Sequence, residues 1–240
     1  MKTRLDRLMV ERGLAESREK AQALIMAGEV LVNGQKASKP GHTVDADCII
    51  DVLARPPYVS RGGLKLAAAL RHFAIEAAGK ICLDIGASTG GFTDVLLQSG
   101  AAHIHAVDVG AGQLAWSLRT DPRVRLREGL NARDLKFEDI GELVDLIVCD
   151  VSFISVTLIL PAAVALLRAS GQMVILIKPQ FEVGKGRVGK GGIVREPELH
   201  QAACERVERA VREFGFETGI LESPIRGAAG NKEFLLYAHH

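Results

Sequence analysis

The chain has 240 residues, of which 48% are hydrophobic and 25% charged, and this composition is typical of a folded protein and excludes a disordered chain. The formal net charge of +1 favours no general acidic or basic partner, so any basic surface must be local. The four cysteines are scattered without a C-x-x-C pair, which argues against a disulfide framework or a structural zinc site. We expect a cytoplasmic protein, because the N-terminus lacks a signal-peptide pattern and the longest apolar stretch, SVTLILPAAVALL, is too short to span a bilayer.

Residues 1–54 have the pattern of a separate, small α+β domain. A first helical pattern, TRLDRLMVERG, places Thr3 and Asp6 at the spacing of a capping box. A second, SREKAQALIMAG, starts with a serine cap and stops at a glycine. The following EVLVNGQKA predicts a hairpin with a two-residue Asn-Gly turn, and DADCIIDVL predicts a last short strand.

Residues 55–59 form the predicted linker, which two prolines make semi-rigid. From 60 to 240, strand patterns alternate with helical patterns; the strands are KICLDIG, HIHAVDV, VRLREG, DLIVCDV, QMVILIK, TGILESP and EFLLYAH. Continuous apolar runs such as LIVCD and VILIK are typical of strands buried on both faces. The pattern predicts a doubly wound, Rossmann-like α/β domain with its ligands outside the carboxyl ends of the strands.

The stretch DIGASTGGFTD predicts a strand, a glycine-rich turn and a helix that hold a nucleotide-like ligand. Its glycine spacing departs from the dinucleotide fingerprint, so S-adenosyl-L-methionine fits as well as NAD. Asp108 ends the next strand, where its carboxylate can accept hydrogen bonds from ribose hydroxyls, although it could also be a simple turn residue. The candidate cofactor-binding residues are Asp84, Gly86, Ala87, Ser88, Gly90, Gly91, Asp108, Asn131 and Asp150. Asn131 is placed to contact an adenine ring, or alternatively to cap a helix.

Four charged residues are predicted to gather at the same end of the sheet. Asp150 and Lys178 end two buried apolar strands, and a lysine there is costly unless it serves a purpose. Lys65 opens the first helix after the linker, and Glu233 begins the last strand. We expect Lys65, Asp150, Lys178 and Glu233 to form the catalytic group, with an ordinary surface salt bridge between Lys65 and Glu233 as the alternative.

These four residues resemble the Lys-Asp-Lys-Glu tetrad of FtsJ-like RNA 2′-O-methyltransferases. Together with YVSRGGLKLAAAL, DIGASTGGFTD, DVSFIS, IKPQFEVGKG and GGIVR, they make the chain similar to the TlyA (hemolysin A) family over nearly its whole length. That family joins an RNA-binding domain of the ribosomal-protein-four type to an FtsJ-like methyltransferase. The resemblance implies methylation of a ribose 2′-hydroxyl in ribosomal RNA, of cytidine, with S-adenosyl-L-methionine as cofactor and ribosomal RNA or a ribosomal subunit as partner.

On this hypothesis Lys178 is the general base for the ribose hydroxyl, which is a poor nucleophile until it loses its proton. An apolar surrounding and the nearby Lys65 cation would favour the neutral amine of Lys178. Asp150 and Glu233 would then balance the positive charge and orient the two amines. Most of the rate acceleration is expected from alignment of the hydroxyl with the methyl group.

Basic residues in two regions are candidates for contacts to RNA phosphates: Arg4, Arg7, Arg18, Lys20, Lys36, Arg61, Lys185, Arg187 and Lys190. In the N-terminal domain the alternative is that these charges only solvate a helical face. The segment GKGRVGKGGIVR nearly matches a phosphate-binding P-loop, but a glycine follows its lysine where a serine or threonine is required. We therefore expect a mobile basic loop that closes over RNA, and reject nucleotide hydrolysis.

Other functions were weighed against this hypothesis. DVSF faintly resembles the D-P-P-Y motif of amino-group methyltransferases, which do not need a lysine pair. A non-catalytic RNA-binding or ribosome assembly factor is disfavoured by the intact tetrad, and a membrane-active hemolysin by the lack of a long apolar segment. His103 and His105 alternate along one predicted strand, but no third ligand is evident nearby, so we interpret them as strand packing and expect no metal.

Overall fold

The computed structural model describes residues 2–53, 56–227 and 230–240, except for the side chain of Lys185. The chain divides into two compact units, Met1–Pro57 and Tyr58–His240. The sequence places the domain boundary and the first linker residue at 54 and 55, which lie outside the described residues, so that boundary stays a prediction.

The first unit is a small α+β fold. Its elements are β1 (Lys2–Arg4), α1 (Leu5–Glu11), α2 (Arg18–Met26), β2 (Val30–Val32), β3 (Gln35–Lys36), β4 (Thr43–Asp45) and β5 (Ile50–Val52). Strand β1 pairs antiparallel with β4, and β3, β2 and β5 form a three-stranded sheet in that order. Leu5, Met9, Ile25 and Val30 are fully buried between the helices and the strands, so one small core stabilises the unit.

Three predictions for this unit can be compared with its geometry. The Asn33-Gly34 hairpin is confirmed, with both residues at positive φ, 49° and 78°, as a type I′ turn requires. Ser17 caps α2 by accepting a hydrogen bond from the Lys20 amide at 3.2 Å. The capping box at Thr3 is wrong, because Thr3 pairs with Val44 in the sheet and the helix starts only after it. A distant strand pairing thus overrides the local capping pattern.

The second unit is a seven-stranded sheet with helices on both faces. Its strands are β6 (Ile81–Ile85), β7 (His103–Asp108), β8 (Val124–Glu128), β9 (Val144–Cys149), β10 (Leu167–Ile177), β11 (Glu217–Glu222) and β12 (Phe234–His239). Its α-helices are α3 (Gly62–His72), α4 (Gly91–Gln98), α5 (Trp116–Arg119), α6 (Phe137–Ile140), α7 (Leu160–Val164), α8 (Pro179–Glu182) and α9 (Pro197–Arg212). The strand order is β11-β12-β10-β9-β6-β7-β8, and only β12 runs antiparallel to the other strands. The doubly wound fold and all seven predicted strands are confirmed.

Two apolar layers enclose this sheet. Helices α3 and α4 cover one face through residues such as Leu66 and Leu96, and α7 and α9 cover the other through Leu160 and Val207. All four cysteines are buried and free, as expected for small core residues. Among the described residues, no helix is both long enough and apolar enough to cross a bilayer.

The strand order reverses between β6 and β9, and the ligand site is expected at this switch point. In open α/β sheets, ligands bind in the crevice outside the carboxyl ends of the strands at such a switch point. Gly86, just after β6, has φ of +85° and passes so close to Asp150, just after β9, that a Cβ would clash with the Asp150 carbonyl. Only glycine fits at this position, because it adopts the left-handed backbone conformation readily and has no Cβ that would clash with the neighbouring backbone.

Candidate active site

The four predicted catalytic residues form two ion pairs at this end of the sheet. Nζ of Lys178 lies 2.6 Å from Oδ1 of Asp150, and Nζ of Lys65 lies 2.5 Å from Oε2 of Glu233. The side chains of Lys65 and Lys178 are only 10% and 11% exposed, and that of Glu233 only 2%. The alternative of an ordinary surface salt bridge between Lys65 and Glu233 does not hold, because this pair is buried.

Three of the four residues border one cavity. Lys65, Asp150 and Lys178 line a cavity of about 340 Å³, together with Arg61, Gly91 and Arg226. Glu233 is not in the cavity wall and contacts Lys65 from behind. Gly227 leaves room for the Glu233 carboxylate, because a Cβ at that position would overlap it. The buried pair is therefore built into the fold rather than formed by flexible surface side chains.

Ser152 is a residue of this site that the sequence analysis missed. Nζ of Lys178 donates a hydrogen bond of 2.7 Å to its hydroxyl oxygen, in addition to the ion pair with Asp150. Two partners fix the Lys178 amine and restrict its rotation. The available signal was its position two residues after Asp150, on the loop that follows a strand carrying a catalytic candidate.

A second, larger cavity of about 570 Å³ lies along the carboxyl ends of β6 and β7. Asp108 faces it, and both its carboxylate oxygens accept backbone hydrogen bonds: Oδ2 from the Ser88 amide at 2.8 Å and Oδ1 from the Gly110 amide at 2.7 Å. The carboxylate thus ties the glycine-rich loop to the loop after β7. Asp108 can both hold this turn and contact a ribose, because each of its carboxylate oxygens has a further lone pair that can accept a hydrogen bond.

Asp84 does not face either cavity. It is completely buried, and its Oδ2 accepts a hydrogen bond of 2.6 Å from the Thr93 hydroxyl of α4. Burial raises the pKa of Asp84 to about 7, and the carboxylates of Asp150 and Asp108 act in the same direction. The expected direct contact with a cofactor has no support in this placement, and Asp84 is better interpreted as a support under the glycine-rich loop.

The glycine-rich loop divides between the two cavities. Gly86 and Ser88 line both of them, whereas Ala87 and Gly91 line only the smaller one. Gly90 lines neither cavity; its φ is +96°, and a Cβ would clash with the Leu118 side chain. Gly90 therefore permits the turn into α4 and the packing against α5, rather than a ligand contact.

Asn131 combines both roles that the sequence left open. Its side-chain oxygen accepts a hydrogen bond of 3.1 Å from the Arg133 amide and so caps a short 3₁₀ turn, Ala132–Asp134. It also lines the larger cavity, beside Leu130 and Ile159. The cap leaves its side-chain NH₂ group available as a donor to a bound ring.

Four of the five basic candidates in the first unit are held in ion pairs. Arg4 and Arg18 both contact the completely buried carboxylate of Asp6, at 2.9 and 3.0 Å. These arginines hold the pKa of Asp6 well below its usual range, with the hydrogen bond from Arg4 as the largest cause. Arg7 pairs with Glu11 at 2.9 Å and Lys20 with Glu16 at 3.0 Å, while Lys36 is exposed on β3. Arg4 and Arg18 therefore also stabilise the small domain.

The remaining basic candidates belong to the second unit. Arg61 is exposed at the smaller cavity, and Arg187 and Lys190 are exposed on two short 3₁₀ turns, Lys185–Arg187 and Lys190–Gly192. The predicted contact of Lys185 concerns a side chain outside the described part of the structure.

Arg226, which the sequence analysis did not select, is also exposed at the smaller cavity. Only its proximity to Glu233 along the chain could have indicated it.

Phe153 is a further residue that the sequence analysis missed. Its side chain is 91% exposed and lines the larger cavity, and its φ of +68° is unusual for a bulky residue. The ring lies 5.5 Å from that of Phe181, centroid to centroid. Strained backbone and an exposed aromatic ring beside Asp150 indicate a contact surface, because neither favours stability.

Comparison with known proteins supports the interpretation of both units. The model of the FtsJ-like methyltransferase family matches residues 58–240, and the S4 domain model matches residues 3–48. The chain is 50% identical to the 16S/23S rRNA (cytidine-2′-O)-methyltransferase TlyA of Mycobacterium tuberculosis, over 98% of this chain and 89% of that protein. It is 45% identical to hemolysin A of Brachyspira hyodysenteriae, over 98% of each chain.

A solved structure agrees with these similarities. The chain is 46% identical to a protein described as a hemolysin from Streptococcus thermophilus, with a TM-score of 0.76 over 99% of this chain and 88% of that one. The match of the family model covers the whole second unit, which carries the paired lysines and the glycine-rich loop. The chain therefore belongs to the FtsJ-like methyltransferase family and carries an S4 domain at its N-terminus.

Proposed function

We propose that this protein transfers a methyl group from S-adenosyl-L-methionine to a ribose 2′-hydroxyl of ribosomal RNA, at a cytidine. The observation that carries the proposal is the pair of buried lysine–carboxylate contacts, Lys65–Glu233 and Lys178–Asp150, beside the glycine-rich loop. The relative from M. tuberculosis that is half identical to the chain is named for this reaction on cytidine. An rRNA substrate is consistent with a cytoplasmic location.

The residues around the larger cavity fit S-adenosyl-L-methionine. Val107, Leu130 and Ile159 offer apolar contacts for an adenine ring, and Asn131 offers a polar side chain beside them. The Asp108 carboxylate is placed for ribose hydroxyls, and Gly86 and Ser88 allow a ligand to approach the backbone of the loop. When bound, the cofactor supplies an electrophilic methyl group. Because Gly86, Ser88 and Asp150 border both cavities, a ligand in one is adjacent to a substrate in the other.

Lys178 is proposed as the residue that moves the proton. Its neutral Nζ takes the proton of the 2′-hydroxyl as the oxygen attacks, and the resulting ammonium ion is stabilised by Asp150 and Ser152. The ion pair in the structure corresponds to the protonated state of the amine. Lys178 must therefore release this proton to solvent before the next turnover, and its limited exposure provides the route.

Lys65 and Glu233 are proposed to fix the position of the substrate hydroxyl. The Lys65 amine borders the same cavity as Lys178 and can donate to a ribose or phosphate oxygen. Glu233 balances the charge of Lys65 and holds its side chain in one orientation at 2.5 Å. This arrangement supports catalysis by alignment, which accounts for a large share of the acceleration in reactions without covalent intermediates.

Phe153 is proposed as the contact for the target base. A ribose hydroxyl within a folded RNA becomes accessible when its nucleotide leaves the stack, and aromatic side chains commonly receive such bases. The exposed ring of Phe153 directly follows Ser152, which borders both cavities, so it can contact a base whose ribose lies in the smaller cavity. Its packing against Phe181 would limit the movement of the ring on binding.

The N-terminal domain, residues 1–54, is proposed to bind RNA, with 55–59 as a linker and 60–240 as the methyltransferase domain. It contains no Phe, Tyr or Trp, which disfavours base stacking and favours recognition of RNA shape through phosphates. All five of its basic candidates are exposed on its surface, namely Arg4, Arg7, Arg18, Lys20 and Lys36. Arg61, Arg187 and Lys190 are the corresponding candidates of the methyltransferase domain, to which Arg226 is added.

The deciding experiment is incubation of the purified protein with labelled S-adenosyl-L-methionine and separated ribosomal subunits or naked rRNA. Mapping of alkali-resistant linkages should locate 2′-O-methylcytidine at a defined position. The variant Lys178→Ala serves as the inactive control. Methylation of a base amine, or no transfer to any ribosomal RNA by a protein that binds the cofactor, would refute the proposed function.

A further inference from the structure

A cluster of metal-ligating side chains lies outside the methyl-transfer site. His103 and His105 are on the same side of β7, and Glu142, just before β9, reaches them from the chain segment after α6. Their potential ligand atoms all lie within 4.8 Å of one another. The sequence analysis found no third ligand, because Glu142 is distant in sequence and only the parallel order of β7, β6 and β9 brings it near.

The geometry points to a transition-metal site, and we propose that His103, His105 and Glu142 bind one Zn²⁺ ion. Two imidazoles and a carboxylate are donors that zinc accepts in tetrahedral sites, with water in the fourth position. A purely oxygen-ligated ion such as Mg²⁺ fits these donors less well.

The side chains are in suitable states for a metal ion. Nε2 of His105 lies 2.9 Å from Oε1 of Glu142, while the buried Nε2 of His103 has no hydrogen-bond partner among the described residues. A metal ion would take the place of the hydrogen bond between His105 and Glu142 and would engage the unpartnered nitrogen of His103.

Two features of the surroundings bear on this site. The Glu142 side chain is 33% exposed, so an ion and its water ligand have access from solvent. Arg125 lies 4.0 Å from Oε1 of Glu142, but its side chain is 64% exposed and can turn into water when a cation binds.

The location of these ligands is remote from the site proposed for methyl transfer. His103 begins β7 and Asp108 ends it, so the two lie roughly 16 Å apart along the strand at about 3.3 Å per residue. A metal ion at this position would connect β7 to the segment that leads into β9. Because a ligand that binds only the folded state stabilises it, zinc should raise the melting temperature.

The test measures Zn²⁺ binding to the full chain by competition with a chromogenic chelator, together with thermal unfolding. We expect one Zn²⁺ per chain and a melting temperature that rises with Zn²⁺. His103→Ala and Glu142→Gln, both at partly exposed residues, should each weaken binding at least tenfold and abolish the thermal shift. The matched control His239→Ala/His240→Ala removes the two adjacent histidines of the C-terminus and should bind as the wild type does.

Wild-type affinity in either folded site variant, loss of binding in the C-terminal control, or no zinc binding by the unaltered chain would overturn the proposal. If His103→Ala does not fold, Glu142→Gln and the Co²⁺-substituted wild type decide the question. Co²⁺ in a four-coordinate site of nitrogen and oxygen ligands gives visible d–d absorption, and a spectrum of hydrated Co²⁺ would overturn the proposal as well.

Discussion

Lys65 on α3 and Glu233, immediately before β12, form a buried ion pair at 2.5 Å. Removal of one member of such a pair leaves an uncompensated buried charge, which typically costs about 3–5 kcal/mol. We expect Glu233→Met to lower the free energy of unfolding by an amount near the lower end of this range, since Lys65 retains slight access to water. Denaturant unfolding of the wild type and of Glu233→Met measures this difference in free energy.

Replacement of both partners should recover most of that loss, because two apolar side chains of similar volume avoid the desolvation cost. Lys65→Met/Glu233→Met is therefore expected to be more stable than Glu233→Met, while neither variant transfers methyl groups. Equal stability of the single variant and the wild type would show that the pair contributes nothing to folding. Activity in the double variant would remove both residues from catalysis.

Lys178→Ala is expected to lower methyl transfer by about 10²–10⁴-fold, the usual contribution of a general base. Cofactor binding should persist, because Lys178 lines the smaller cavity and the cofactor residues lie around the larger one. Single-turnover transfer and calorimetry with S-adenosylhomocysteine measure the two properties. Lys136→Ala, at an exposed lysine that lines neither cavity, is the matched control and should behave as the wild type.

Asp108→Asn is expected to weaken cofactor binding by roughly 10- to 100-fold, since a hydrogen bond to a charged group contributes about 1.5–3 kcal/mol. The amide retains one acceptor oxygen, but it offers no charge to the ribose hydroxyls and can no longer accept from both the Ser88 and Gly110 amides. Calorimetry with S-adenosylhomocysteine checks this. Asp134→Asn, at an exposed carboxylate outside both cavities, controls for the loss of one negative charge.

The fold of the methyltransferase domain could be predicted because its signals are local. Continuous apolar runs such as LIVCD and VILIK identify strands that are buried on both faces, and all seven predicted strands are present in the sheet. The meeting of Asp150 and Lys178 could be predicted for the same reason: both residues immediately follow such runs, where the carboxyl ends of parallel strands meet.

The features that were missed depend on contacts between distant segments. Thr3 pairs with Val44 in a strand that no local pattern marks, and Glu142 reaches His105 only through the strand order. Asp84 was assigned to the cofactor because it precedes the glycine-rich loop, yet its side chain points away from both cavities toward Thr93. Local sequence patterns give the position of a residue along a strand, but the packing of the final structure determines what its side chain contacts.

The stability of Asp84→Asn relative to the wild type is expected to be greater at neutral pH than at acidic pH. The pKa of Asp84 is raised to about 7 in the folded state, against about 3.9 for an unfolded aspartate. The folded state therefore binds the proton more tightly, and the carboxyl group costs stability that grows between about pH 4 and pH 7. The asparagine does not titrate, so the difference in free energy of unfolding between the variant and the wild type should grow in favour of the variant over that window.

Denaturant unfolding at pH 4.5, 6 and 8 measures this difference. Thr93→Val provides a second check, because loss of the hydroxyl that donates to Asp84 removes an interaction that favours the carboxylate. It should destabilise the protein more at pH 8 than at pH 4.5. A stability difference for Asp84→Asn that does not vary with pH would show that Asp84 titrates at its ordinary value.

The exposed basic residues of the glycine-rich segment 184–192 predict a salt-dependent contribution to RNA binding. Each phosphate contact releases about 0.7–0.9 counterions, so Arg187→Ala/Lys190→Ala should reduce the slope of log affinity against log salt concentration by about 1.4–1.8. Binding to rRNA between 50 and 300 mM salt measures the slope. The control Arg71→Ala/Arg209→Ala also removes two exposed positive charges, but from helices α3 and α9 instead of segment 184–192, and its slope should equal that of the wild type. An equal loss in both double variants would mean that only net charge matters, because position-specific phosphate contacts by Arg187 and Lys190 require the two slopes to differ.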